Sequence, residues 1–300
     1  MKKFAKHALA LACVLPFAFS ATACSSFPEV AETDRESVYT EYATKYENAL
    51  AALSEKDFFL NYYVSQISTA EQGAYASSTT ATAEMDADVS AGKVSRAATT
   101  VKTTETVKSG DTEESSSQNT FTYTLADGTY QKTEQRSGDE TTEEKSFTAS
   151  ETPSNFELDG AFLALPDFAT LTAGGEVTVY ADANGQGMRF EYVLSETGGN
   201  YDGLDCTGLE TKEETTYAVT VRFDYAGNLL SIEAEMISRF TATAPQTSEP
   251  EQGGAEMMSD VQTTLPPNAK GYQRIYFKTT LRNASTVKVP TAKELETYKQ

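Results

Sequence analysis

Period-two alternation, interrupted by tight-turn signals, is the feature that most limits what this chain can fold into. In TTYAVTVRFDY, Tyr217, Val219, Val221, Phe223 and Tyr225 alternate with Ala218, Thr220, Arg222 and Asp224. After AGN the pattern resumes in LLSIEAEMISRF, where Leu230, Ile232, Ala234 and Met236 alternate with Ser231, Glu233 and Glu235. Successive side chains of a strand point to opposite faces, so each segment buries one face and wets the other. The same residues on a helix would scatter around the cylinder.

The pattern recurs. EVTVYADANGQGMRFEYVLSE reads as a hairpin turning at Asn184-Gly185, and NTFTYTLADGTYQKTEQ as one turning at Asp127-Gly128. A Thr- and Ala-rich hairpin spans 79–108 with its turn at Ala91-Gly92, FFLNYYVSQIS (58–68) has strand composition, and GYQRIYFKTTLRN (271–283) is a late strand. Residues 109–118 and 137–144 read as charged turns, and 241–270 as one long flexible loop. Hairpins in series pair antiparallel, and about ten strands with one buried face curl or close. The expected fold is therefore mainly β: a single curved antiparallel sheet, a half-barrel meander, forming one domain over 34–300.

Two segments depart from the pattern. Thr33-Asp34-Arg35-Glu36 fits a capping box opening a helix over about 34–56, with Val38, Tyr42, Tyr46, Ala49 and Leu53 as its apolar stripe. DGAFLALPDFATL (159–171) is the most apolar stretch after the N-terminal leader, and Pro166 keeps it from forming a long helix. Short helical turns there must bury Phe162, Leu163, Leu165, Phe168 and Leu171, and the concave face of the sheet is the natural place.

The N-terminus reads as a cleaved export signal over 1–23. Lys2, Lys3 and Lys6 precede an apolar run at 8–20, which is too short for a membrane span and holds Pro16. Ala21-Thr22-Ala23-Cys24 then resembles the lipobox of bacterial lipoproteins, followed by a tether over 24–33. The resemblance implies a diacylated Cys24 and anchorage to the outside of the bacterial cell membrane. Ala-x-Ala also suits ordinary signal cleavage, so a secreted, unlipidated chain is the alternative.

Composition narrows the chemistry. The chain has 24 basic and 44 acidic residues, and three of the lysines lie in the leader, leaving 21 against 44. Such a surface repels nucleic acid and anionic headgroups, so membrane attachment falls to the lipid. His7, the only histidine, also lies in the leader. Histidine-dependent nucleophilic catalysis and histidine metal sites are thereby excluded. Cys13 leaves with the leader, and Cys206 pairs with Cys24 only if Cys24 is not acylated. The remaining motifs are weak. Ser90-Ala91-Gly92-Lys93 matches S-x-x-K but lies in a hairpin turn, where the lysine is not one helical turn from the serine. The loop from Asp182 lacks the calcium-binding glutamate at its twelfth position, which is Val193. Asp202, Asp205 and Glu210 around Cys206 read as a solvated acidic loop. No catalytic residue, metal site or cofactor is expected, and the chain does not read as an enzyme.

The order of elements is similar to the LolA/LppX-type lipoprotein superfamily: tether, helix, long meander, mid-chain apolar plug, further hairpins, and a closing strand before STVKVPTAKELETYKQ. The resemblance implies a half-barrel cradling helices, with an apolar cavity for an acyl or other hydrophobic ligand. Phe162, Leu163, Leu165, Phe168, Val221 and Phe223 are the candidate cavity residues. The alternative is a structural or interaction lipoprotein whose core is filled by its own side chains.

Overall fold

The computed structural model describes residues 29–90, 92–150, 162–171, 175–182, 185–198, 201, 203–245 and 265–299. The leader, Cys24, residues 159–161 of the plug, Asn184, Asp202 and most of the 241–270 loop lie outside them. The described residues form one open antiparallel sheet of eleven strands in the order β6-β5-β4-β3-β2-β1-β11-β10-β9-β8-β7. The strands are β1 (Phe58–Gln72), β2 (Tyr75–Ser90), β3 (Lys93–Ser109), β4 (Thr112–Leu125), β5 (Gly128–Ser137), β6 (Glu140–Ala149), β7 (Glu176–Asp182), β8 (Gly185–Thr197), β9 (Glu210–Phe223), β10 (Leu229–Thr243) and β11 (Ala269–Arg282). Two meanders, β1–β6 and β7–β11, join where β11 pairs with β1 from Phe59↔Arg282 to Gln72↔Ala269. Mainly β and antiparallel with an N-terminal helix is the architecture that the alternation predicts.

The charged segments 109–118 and 137–144 are strand rather than turn. Only Gly110-Asp111 and Gly138-Asp139 turn, and both glycines have positive φ. Polarity misled there because the first four residues of β4 and nearly all of β6 are exposed, and neither strand carries a buried stripe. The long loop is shorter than expected at both ends, since β10 continues to Thr243 and β11 starts at Ala269. The β9–β10 hairpin also differs in detail. The Asp224 carboxylate accepts the backbone N–H of Ala226 and of Asn228 at 2.9 and 2.8 Å. That turn takes Tyr225 out of the strand and leaves it 64% exposed. A bulge between Leu229 and Ser231 then makes Leu229 the buried residue in place of Leu230.

Helix α1 (Arg35–Leu53) packs on one face of the sheet with Tyr39, Tyr42, Tyr46 and Leu53 buried. The predicted capping box is absent. A 3₁₀ turn over Glu32–Asp34 puts Asp34 at the cap position, and its side chain makes no capping bond. A capping box occurs instead near the other end of the chain, where Thr291 and Glu294 open the short helix α3 (Ala292–Leu295), which follows α2 (Phe168–Leu171). The tether is docked rather than free from residue 29 on. Glu29 bridges to Thr178, and Val30 N–H donates to Val177 O at 3.1 Å.

The main core lies between α1, the plug and this face, with Met188, Phe190, Val221, Phe223 and Ile232 among its fully buried residues. Each such side chain contributes roughly 1.5–3 kcal/mol on burial. The opposite face of β2–β6 is crossed by the C-terminal segment. Ser285 Oγ donates to Asp88 Oδ2 at 2.8 Å and Thr286 Oγ1 to Asp86 Oδ1 at 2.6 Å. Tyr298 then meets the Tyr130 ring edge-on, with centroids 5.9 Å apart.

Candidate functional site

Two lids cover the helix-bearing face. The first is the plug, which α1 holds through its tyrosine hydroxyls. Tyr39 Oη donates to the Pro166 carbonyl at 2.5 Å, and Tyr46 Oη to the Leu163 carbonyl at 2.9 Å. Pro166 breaks regular structure, so carbonyls in this segment need side-chain donors, and a helix presenting two tyrosines seven residues, or about two turns, apart on one face supplies them. Burial pushes both hydroxyl pKa values up, and for Tyr39 the nearby Tyr192, Asp167 and Glu47 add to the effect. Tyr39 also packs edge-on against Phe190 at 5.1 Å and beside Phe168 at 5.6 Å.

The second lid is the loop between β8 and β9. Its Tyr201 ring lies over Gly271 so closely that a Cβ there would come within 2.6 Å of the ring. Tyr201 Oη lies 3.1 Å from Ser68 Oγ and donates to the Tyr272 carbonyl at 3.1 Å. Leu204, Cys206 and Leu209 pack with it around Phe240, Ala242 and Ala269.

Between the lids, register lines up one row of side chains on this face: Tyr192 opposite Tyr217, then Met236, Ile275 and Gln66. Tyr192, Tyr217, Met236 and Ile275 are half-buried, whereas Phe190, Val219, Phe277 and Val64 in the adjoining row are buried. The Tyr192 and Tyr217 rings stack at 4.7 Å with 7° between their planes. Burial raises the pKa of both hydroxyls, Tyr217 adding to the effect at Tyr192, and Glu213 and Glu196 at Tyr217. The row crosses five strands, about 19 Å at ~4.8 Å per strand. It is a belt, apolar except for the tyrosine hydroxyls and Gln66 at its β1 end, whose large side chains keep accessible surface between two covered zones.

The six candidate cavity residues sit on one side of this belt. Phe162 is 3% exposed, and Val221 and Phe223 are fully covered by the chain's own side chains. An empty cavity beside them would leave accessible surface, so these three are packed core, and any ligand-facing role passes to less covered neighbours. Leu163, Leu165 and Phe168 are half-buried against the same core. Of the belt residues, Tyr192, Tyr217 and Met236 were legible in the alternation, and Ile275 belongs to the same period-two set as Phe277 and Leu281. Tyr201 follows two glycines with no periodic signal.

The other motifs gather no chemistry. Ser90 and Lys93 pair across the β2–β3 hairpin, and Ser90 Oγ donates to Asp57 Oδ1 at 2.7 Å. Asp205 accepts the backbone N–H of Thr207 at 3.0 Å, which ties its carboxylate into the loop. Among the described residues no group of three or more Cys, His, Asp or Glu is placed to hold a metal ion. A cleft of about 300 Å³ between the end of α1 and the β9–β10 turn is lined by Lys45, Asn48, Lys56 and Asn228 beside Leu53 and Leu229, with no convergent titratable set.

No family model matches the chain, and no curated protein matches it. Among solved structures it is similar to a beta-barrel-like protein of a domain of unknown function, DUF1849, from Brucella abortus. That likeness covers 75% of this chain and 99% of the other, at 11% identity and a TM-score of 0.25. At that level of similarity it adds nothing to the reading of the site.

Proposed function

We propose that this protein is a lipid-anchored extracytoplasmic binding protein that holds an acyl or other hydrophobic ligand along the belt between the two lids. The half-buried row Tyr192, Tyr217, Met236 and Ile275 carries this reading. Large apolar side chains inside a core are normally covered, and a row left accessible between closed zones is a groove suited to apolar surface. The leader and the Cys24 lipobox support anchorage outside the cell. The acidic surface, with 21 basic against 44 acidic residues after the leader, supports attachment through acyl chains rather than through a basic patch. Nothing in the site supports catalysis, and the reading includes no cofactor and no nucleic acid.

The test is titration of the mature chain, made soluble by Cys24→Ser, with a fluorescent fatty acid. Saturable binding weakened by Tyr217→Ala or Met236→Ala, with the circular dichroism spectrum unchanged, supports the reading. Absence of saturable binding favours the second one, a structural lipoprotein without ligand. The zero exposure of Met188, Phe190, Val221, Phe223 and Ile232 speaks for that alternative, since the core beneath the plug is already full.

A further inference from the structure

We infer that the β7 edge of the sheet is the side held against the bilayer, and that the belt opens toward that edge, so that a hydrophobic ligand exchanges directly with the membrane. The inference rests on the anchored-carrier reading above. It starts from the docking of the tether. Glu29 and Val30 extend the sheet beyond β7, through the Glu29↔Thr178 bridge and the 3.1 Å bond from Val30 N–H to Val177 O. Arg35 fastens the same segment. Its Nε donates to Val30 O at 3.3 Å and its Nη1 to Gly175 O at 3.1 Å. Cys24 therefore stands five Cα steps from a fixed point, at most about 18 Å of extended chain. A lipid on Cys24 cannot leave the β7 edge far from the headgroups.

The belt reaches this same edge. Pairing of β7 with β8 begins at Glu176↔Glu191, so Tyr192 and the residues after it extend past the start of β7. Val193, which follows it on the opposite face of β8, is 51% exposed and marks the same end of the strand. Val30 adjoins Val177, Val177 adjoins Phe190, and Tyr192 is two residues on. Strand spacing and rise put the tether's docking point about 12 Å from the Tyr192 end of the belt. At the other end of the strand order, β6 lies ten spacings from β7, about 48 Å measured along the sheet. Arg189 is paired with Glu191, with Glu176 nearby. The short docked tether is what sets the orientation.

The experiment places an environment-sensitive fluorophore on Val193→Cys or on Glu144→Cys of β6, each in a Cys206→Ser background. The lipidated protein is reconstituted into phosphatidylcholine vesicles containing nitroxide-headgroup lipid. Quenching several-fold stronger at position 193 than at 144 is the expected result. Val30→Pro, which removes the N–H donated to Val177, should abolish the contrast, and so should a long Gly/Ser insertion between Pro28 and Glu29. Equal quenching at the two positions, or a contrast unchanged by either variant, overturns the inference while leaving the anchor intact. Mass spectrometry and vesicle flotation of the same sample report separately on the anchor. An unmodified Cys24 that does not float removes the reading beneath the inference.

Discussion

Removing the two hydroxyls that tie α1 to the plug tests the first lid, and the response depends on pH in a way that other roles do not mimic. Tyr39→Phe and Tyr46→Phe keep the rings and delete the bonds to Pro166 O and Leu163 O. Near pH 8 each change should lower stability by about 1–3 kcal/mol, the cost of leaving a covered carbonyl without its donor. Both hydroxyls have raised pKa values in the folded state, chiefly from burial. The folded protein therefore keeps protons that the unfolded chain releases from about pH 10 upward. Their contribution is fully present below that pH and declines as pH rises toward the folded values. At pH 11 the wild type should have lost about 1.4 kcal/mol for each tyrosine, a loss that the phenylalanine variants do not share. Urea denaturation followed by circular dichroism at pH 8 and pH 11 gives the comparison, and exposed lysines cancel in the difference. The gap between wild type and the double variant should shrink by about 2–3 kcal/mol. A gap equal at both pH values would mean that these hydroxyls are not held protonated in a covered site, and the account of the lid would be wrong.

One-sidedness of the sheet is tested by Val221→Asp, which puts an unpaired charge where the side chain is 0% exposed and should cost several kcal/mol of a total of roughly 5–15. On the other face, Thr220→Asn should stay within about 0.5 kcal/mol in the same urea titration. Tyr298→Ala removes the ring that packs on Tyr130, and hydrogen exchange should then accelerate in β5 and β6 while β8–β10 keep their protection. Thr291→Ala should loosen the same segment by about 1 kcal/mol through loss of the α3 cap, read as earlier exchange at Tyr298.

What the sequence determined by itself is the local grammar. Alternation at 217–223 and 230–236, with turn signals such as Asp127-Gly128, dictates antiparallel hairpins because strand side chains have a period of two. The same rule marked Tyr192, Tyr217 and Met236 as inward, since neighbours in an antiparallel register share a face. It failed where no face is buried, at 112–118 and 140–144, because a strand held only by its ladder leaves no pattern in its side chains. It also failed where a few hydrogen bonds reset the register, as the Asp224 turn and the Leu229 bulge do. Tertiary structure alone decided the rest. The pairing of β11 with β1 joins residues about two hundred positions apart, and no local signal specifies it. Which apolar residues are wholly covered depends on what lies above them. Val221 and Tyr217 occupy equivalent positions in one alternating strand, yet the first lies in the core cluster that α1 and the plug complete and is 0% exposed, whereas the second is only half-buried. Tyr201 swings over Gly271 because the glycine leaves room for a ring. The tether, read as spanning 24–33, is pinned from residue 29 because the β7 edge offers it backbone partners.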